Sequence, residues 1–149
     1  PAADYPAAML ALNAMIHTSK RALAADEFFT GLFGTALDED EIVMAVSFTS
    51  PEKAGYAKFP NPASRYALTG VFVADRPEGV RVAVTGAGED GVFRATAMED
   101  ALSRSFDPSA LDGITISADG LMSDIHASAE YRANLIVVMA KRAVQAANG

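Results

Sequence analysis

The run Tyr66 to Ala95, YALTGVFVADRPEGVRVAVTGAGEDGVFRA, decides the fold. Tyr66 to Ala74 and Val80 to Thr85 are rich in β-branched residues and read as two strong strands. Asp75-Arg76-Pro77-Glu78-Gly79 joins them, a hairpin-length link with turn-forming residues at its centre. Gly86-Ala87-Gly88-Glu89-Asp90-Gly91 reads as a glycine-rich β-turn, and Val92 to Ala95 as a third strand of an antiparallel meander. That turn contains the string G-x-G-x-x-G, which in a dinucleotide-binding fold cradles a pyrophosphate at a helix N-terminus. Here the following residues, VFRA, continue a strand pattern, and the required helix is missing.

Upstream, Tyr56 to Phe59 forms a short strand between two breakers, Ser50 to Gly55 and Pro60-Asn61-Pro62. Ile42 to Phe48 alternates and reads as another strand, entered from the acidic turn Asp38 to Glu41, whose four carboxylates read as solvated. Asp26 to Gly34 fits one or two turns of helix, with acids first and a glycine closing it. Ile16 to Leu23 is a short strand pair or a strand with a tight bend. Pro6 to Met15 reads as a largely buried helix with proline in its first turn.

Downstream, Ala97 to Ser103 is a short helix, Asp112 to Asp119 is irregular, and Ala127 to Ala147 is a long helix. Its apolar stripe runs through Tyr131, Leu135, Val138 and Ala143 or Val144, with Arg132, Lys141 and Arg142 off the stripe. Strands followed by helices indicate an α+β fold: a three-stranded antiparallel sheet packed on helices. A composition shift near Ser50 to Lys53 divides the chain into residues 1–50 and 51–149.

Half of the 149 residues are apolar and 21% are charged, which excludes intrinsic disorder. Twelve basic residues against 19 acidic ones give a net charge of −7, which argues against nucleic acid or an anionic membrane surface as partner. Without cysteine there is no disulfide, thiolate nucleophile or iron–sulfur ligation in this chain. The two histidines, His17 and His126, lie too far apart in sequence to suggest a metal site. No membrane-length apolar run or signal peptide is visible, so the expected location is the cytoplasm. The chain opens on Pro1 without an initiator methionine, and is expected to be a piece of a longer protein.

Ser103, Ser105, Asp107, Asp124 and His126 could be arranged on paper as a hydrolase triad, but no G-x-S-x-G elbow is present. Ser123, Asp124 and Ser128 are better placed to serve the N-terminus of the last helix, with His126 beside them. Two other stretches carry more information: Ala3-Asp4-Tyr5-Pro6-Ala7-Ala8, and Tyr56-Ala57-Lys58-Phe59-Pro60-Asn61-Pro62-Ala63-Ser64-Arg65-Tyr66-Ala67. Together with Val80 to Arg94 and Ser123 to Leu135, they resemble the FAD-binding medium subunit of aerobic carbon monoxide dehydrogenases. That subunit belongs to the molybdenum hydroxylase group that includes xanthine dehydrogenase.

The resemblance implies that residues 1–50 are the end of an FAD-binding α/β subdomain, and that residues 51–149 are the family's C-terminal domain. It implies an electron-transfer role through FAD, with an iron–sulfur small subunit and a molybdopterin large subunit as partners. The alternative is a cofactor-free structural or assembly module docking onto those subunits. The glycine-rich loops that hold the FAD pyrophosphate in the family lie before the Asp-Tyr-Pro segment. The chain alone is therefore expected to bind FAD weakly and to be inactive.

By position, the resemblance places Asp4 at the ribityl or phosphate region, and Ile42 and Val43 at the flavin or adenine end. It sets Lys58 beside the isoalloxazine and Tyr66 near the ring. Tyr66 also reads as a plain strand aromatic, and Lys58 as an ordinary exposed strand residue. Alternation puts Lys58 on one strand face with Tyr56, and leaves Ala57 and Phe59 on the other, where Phe59 should be core.

Overall fold

In the computed structural model, residues 3–149 are described; Pro1, on which the expectation of a longer protein was placed, lies outside them. The order is α1 (Asp4–Ala11), β1 (Met15–Thr18), β2 (Ala22–Ala24), α2 (Ala25–Phe28), β3 (Val43–Ser47), β4 (Lys53–Pro60), β5 (Ala67–Asp75), β6 (Arg81–Gly88), β7 (Gly91–Arg94), α3 (Thr96–Arg104) and α4 (Ala129–Ala147). A 3-10 turn, Pro108–Leu111, sits between the last two helices. The strands form two antiparallel sheets, ordered β2-β1-β3 and β4-β5-β6-β7. The architecture is α+β, as expected.

The larger sheet has four strands where three were expected, because β4 starts at Lys53 and runs straight through the supposed breaker. Gly55 belongs in this strand for a packing reason. A Cβ there would meet the backbone carbonyl of Ala143, so glycine lets α4 lie directly on the sheet. Likewise β6 runs on through Gly86 and Gly88, and the turn shrinks to Glu89-Asp90. Strands flank it on both sides, in keeping with the rejection of a phosphate loop.

The four-stranded sheet is covered on both faces. Alternation sends Val71, Val73, Val82 and Val84 into a core with Met98, Leu102, Leu111, Ile136, Met139 and Val144 of the C-terminal helices. Phe72, Ala74 and Ala83 point the other way, into a second core with Ala7, Leu10 and Ala11 of α1. Phe59 packs on the first core, the position its alternation required. α1 ends at Ala11, four residues earlier than read, because Asn13 turns into left-handed backbone (φ 51°) and the chain reverses into β1. The carbonyls left at its end are capped by guanidinium groups from the sheet: Arg81 donates to Leu10 O and Arg76 to Leu12 O.

Two other sequence readings need correction. Glu41 is not a solvated acid: it is 4% exposed and held by Arg21, Thr18 and the Asp38 N–H. Arg132, read as lying off the apolar stripe of α4, is 2% exposed and sits on a buried stripe with Leu135, Ile136, Met139, Ala140 and Ala143. Ser128 does cap α4, its hydroxyl accepting from the Tyr131 N–H, and Asp124 accepts from the N–H groups of His126 and Ala127.

Candidate functional site

The face of the sheet beneath α1 is built by strand register. Tyr56 stands opposite Phe72 and Ala83, and Lys58 opposite Gly70 and Thr85, so these side chains share one face. Asp4 enters this face from the first turn of α1, where the helix dipole favours a carboxylate. Its Oδ1 accepts from the Tyr56 hydroxyl at 2.5 Å, and its Oδ2 from Lys58 Nζ at 2.8 Å. Thr85 donates its hydroxyl to Ala3 O, which fixes the backbone immediately before Asp4.

The cluster sits at the edge of the covered face. The side chains of Asp4 and Lys58 are 48% and 30% exposed. Burial pushes the Asp4 carboxyl up, but hydrogen bonds from Lys58 and Tyr56 outweigh it and leave the group below its ordinary value. Tyr56 is pushed up, first by burial and then by the carboxylate that its proton serves. At neutral pH the three form an anion, a cation and a neutral phenol. Space for the phenol is made by Gly70, since a Cβ there would lie 2.4 Å from the Tyr56 oxygen.

Of the five residues expected at a cofactor, the fold thus brings Asp4 and Lys58 into direct contact. Tyr66 lies one residue before the Ala67–Pro60 pair, at the end of the loop that joins β4 to β5, and is 60% exposed. Val43 opens β3 of the other sheet and Ile42 immediately precedes it, and both are exposed. Val43 borders an open apolar groove of about 360 Å³ with Tyr5, Met9, Phe28, Val46 and Phe48. Tyr5 follows Asp4 directly, so α1 links the charged cluster to this groove. The donor set suits a flavin: an acceptor and a cation for polar edges, and apolar walls for a ring system.

Sequence reasoning missed Arg132 and Gly70. Arg132 carries no short-range motif, and its two backbone acceptors lie 46 and 64 residues away. Gly70 had a signal, a lone glycine inside a strand, which often marks close approach by another group. Among the described residues no group of three or more histidine and acidic side chains could hold a metal, and no helix is long and apolar enough to cross a membrane.

No protein-family profile matches the chain. It is 34% identical over 157 residues to the nicotine 6-hydroxylase medium subunit of Paenarthrobacter nicotinovorans, covering 96% of this chain and 55% of that protein. It is 25% identical to the carbon monoxide dehydrogenase medium chain of Hydrogenophaga pseudoflava, covering 99% of this chain and 56% of the relative. Its fold matches a structure of carbon monoxide dehydrogenase from Oligotropha carboxidovorans with a TM-score of 0.79 and 25% identity, covering 99% of this chain and 57% of that one. The chain therefore spans somewhat more than half the length of the proteins it resembles. By sequence along nearly its whole length, and by fold, it is a homologue of the medium subunits of nicotine 6-hydroxylase and carbon monoxide dehydrogenase, in the molybdenum hydroxylase group.

Proposed function

We propose that this chain is the C-terminal part of an FAD-containing electron-transfer subunit, passing electrons between iron–sulfur clusters and an external acceptor. Residues 1–50 would complete the flavin-binding domain and residues 51–149 form the family's C-terminal domain. The observation that carries the reading is the Asp4–Tyr56–Lys58 cluster, a charged site at a sheet face in a homologue of such subunits. Asp4 and Lys58 would meet the cofactor's polar atoms, while Tyr66, Ile42 and Val43 would offer apolar surface. When bound, flavin supplies the electron transfer; the protein's part is position and electrostatics. Lys58 would favour electron uptake because a cation stabilises added negative charge in a partly dry site. Asp4 offsets some of that cation and holds it in place.

The test is Lys58→Met in the complete medium subunit. Loss of the cation beside Asp4 lowers the flavin midpoint potential by the equivalent of about 1–2 kcal/mol, one partly screened charge at about 8–10 Å. An unchanged midpoint with FAD still bound eliminates the assignment.

A second reading, an assembly module for the iron–sulfur and molybdopterin subunits, draws on a different observation. β3 is an edge strand of apolar residues, and all five of its positions are exposed. Ile42 and Phe48 on either side add exposed apolar area, and natural folds rarely leave such an edge open. The visible absorbance of the purified complete subunit separates the two: flavin bands favour electron transfer, and a colourless protein favours assembly.

A further inference from the structure

Two β-bulges interrupt the large sheet next to the candidate site. Between β4 and β5 the register runs from Phe59–Thr69 to Pro60–Ala67, so Leu68 has no residue opposite it. Between β6 and β7 it runs from Val84–Phe93 to Gly88–Gly91, which sets Thr85, Gly86 and Ala87 against Val92 alone. At the second bulge Gly86 takes φ +80°, and a Cβ there would collide with Ala67 O.

One guanidinium from α4 serves both bulges. Arg132 Nη1 donates to Leu68 O at 2.5 Å and to Gly86 O at 2.9 Å, while Nη2 donates to Asp124 Oδ2 at 2.8 Å. Its Nε has no hydrogen-bond partner among the described residues, although the side chain is 2% exposed. A buried cation with one donor left over is costly when only packing is needed. Its two backbone acceptors flank the residues that carry the site. Leu68 lies two positions from Gly70, over which Tyr56 rests, and Gly86 follows Thr85, whose hydroxyl anchors Ala3 O ahead of Asp4.

We propose that Arg132, oriented by Asp124, is a positioning residue for the Asp4–Tyr56–Lys58 cluster: it locks both bulges and thereby sets where Thr85 and Gly70 present Asp4 and Tyr56. As a statement about a functional site, this rests on reading that cluster as the cofactor-facing one. The geometric claim itself involves no cofactor. It links the C-terminal helix to the start of α1 through two side chains, Arg132 and Thr85.

The experiment is NMR on the 149-residue chain without flavin, reading the Tyr56 ring and hydroxyl resonances and the Lys58 side-chain nitrogen. Asp4→Asn supplies the spectrum of a broken cluster. Arg132→Lys and Arg132→Gln should move the Tyr56 and Lys58 signals toward that spectrum, while the Ala74 and Arg81 amides at the far end of the hairpin stay in place. Lys58 acetylation should accelerate severalfold relative to Lys20, Lys53 and Lys141. A purely structural role would lower the melting temperature and leave Tyr56 and Lys58 as in the parent; that result in a folded variant overturns the proposal. Should both Arg132 variants fail to fold, Thr85→Val keeps the buried cation and removes the hydroxyl that anchors Ala3 O, and parent-like Tyr56 and Lys58 signals there overturn it equally. A flat potential for Lys58→Met would reject the flavin reading without touching this result.

Discussion

Replacing Gly70 by alanine tests how the site is assembled. The new Cβ would lie 2.4 Å from the Tyr56 oxygen, and 3.1 Å from Tyr56 Cζ and from Thr85 Cγ2. Ordinary contact begins near 3.4 Å, so the phenol must retreat by about 1 Å. That retreat opens the 2.5 Å hydrogen bond to Asp4. Overpacking costs about 1–3 kcal/mol, and the charge-assisted bond adds about 1 kcal/mol after discounting for a half-exposed carboxylate. Gly70→Ala should therefore destabilise the chain by about 3 kcal/mol, or about 6–12 °C in Tm for a domain of this size. Tyr56→Phe removes the hydroxyl and should cost only about 1 kcal/mol. With the oxygen gone, the remaining close contacts need shifts of a few tenths of an ångström. In the double variant Gly70→Ala should then add almost nothing, leaving a coupling energy of about 3 kcal/mol. Urea denaturation of the four proteins measures the cycle, and costs that add within about 0.5 kcal/mol would refute the contact.

Glu41 gives a pH signature. Arg21, then Thr18 and the Asp38 N–H, hold its carboxyl down from 4.5 to about 2. A depressed folded-state pKa contributes stability that is full above about pH 4.5 and lost as pH falls toward 2. The urea midpoints of the parent and Glu41→Gln should therefore converge on acidification from about pH 5, and a constant gap speaks against the network. Gly55→Ala would drive a Cβ into the backbone of α4 at Ala143 O and Ala147 N. The helix must lift, at a cost of about 2–3 kcal/mol by chemical denaturation; a neutral effect would mean that α4 does not lie on β4 as described.

The sequence carried the strands well where they alternate and poorly where long-range packing overrides local propensity. Val71, Val73, Val82 and Val84 declared a buried face, and Tyr56 and Lys58 declared a shared one. Gly55 read as a breaker because its local meaning, loss of strand propensity, is opposite to its meaning under a helix. Glu41 read as solvated because nothing near it in sequence shows Arg21 approaching across the β1–β2 hairpin. Lys58 was legible as a candidate cation, but its closest partner was not, since Asp4 lies 54 residues away.

Bulges account for the rest. A strand read at period two assumes that every residue has a partner opposite, and a bulge violates that without any single residue type to announce it. Gly86 was the nearest signal, and it was absorbed into a turn reading of the whole GAGEDG segment. Once Leu68 and Gly86 fall out of register, their carbonyls take side-chain donors: Arg132 at both, with the Thr69 hydroxyl also at Leu68 O. A helix packed on the opposite face can supply two of them only through a long, forked side chain that donates in a plane. Arginine at position 132 fits that demand and lysine does not, because an ammonium cannot span Leu68 O, Gly86 O and Asp124 in one fixed orientation. A residue read as lying off the apolar stripe of the helix is thus the one the irregular sheet requires. The irregularity lies beside Thr85 and Gly70, which ties the sheet's least regular region to the Asp4–Tyr56–Lys58 cluster.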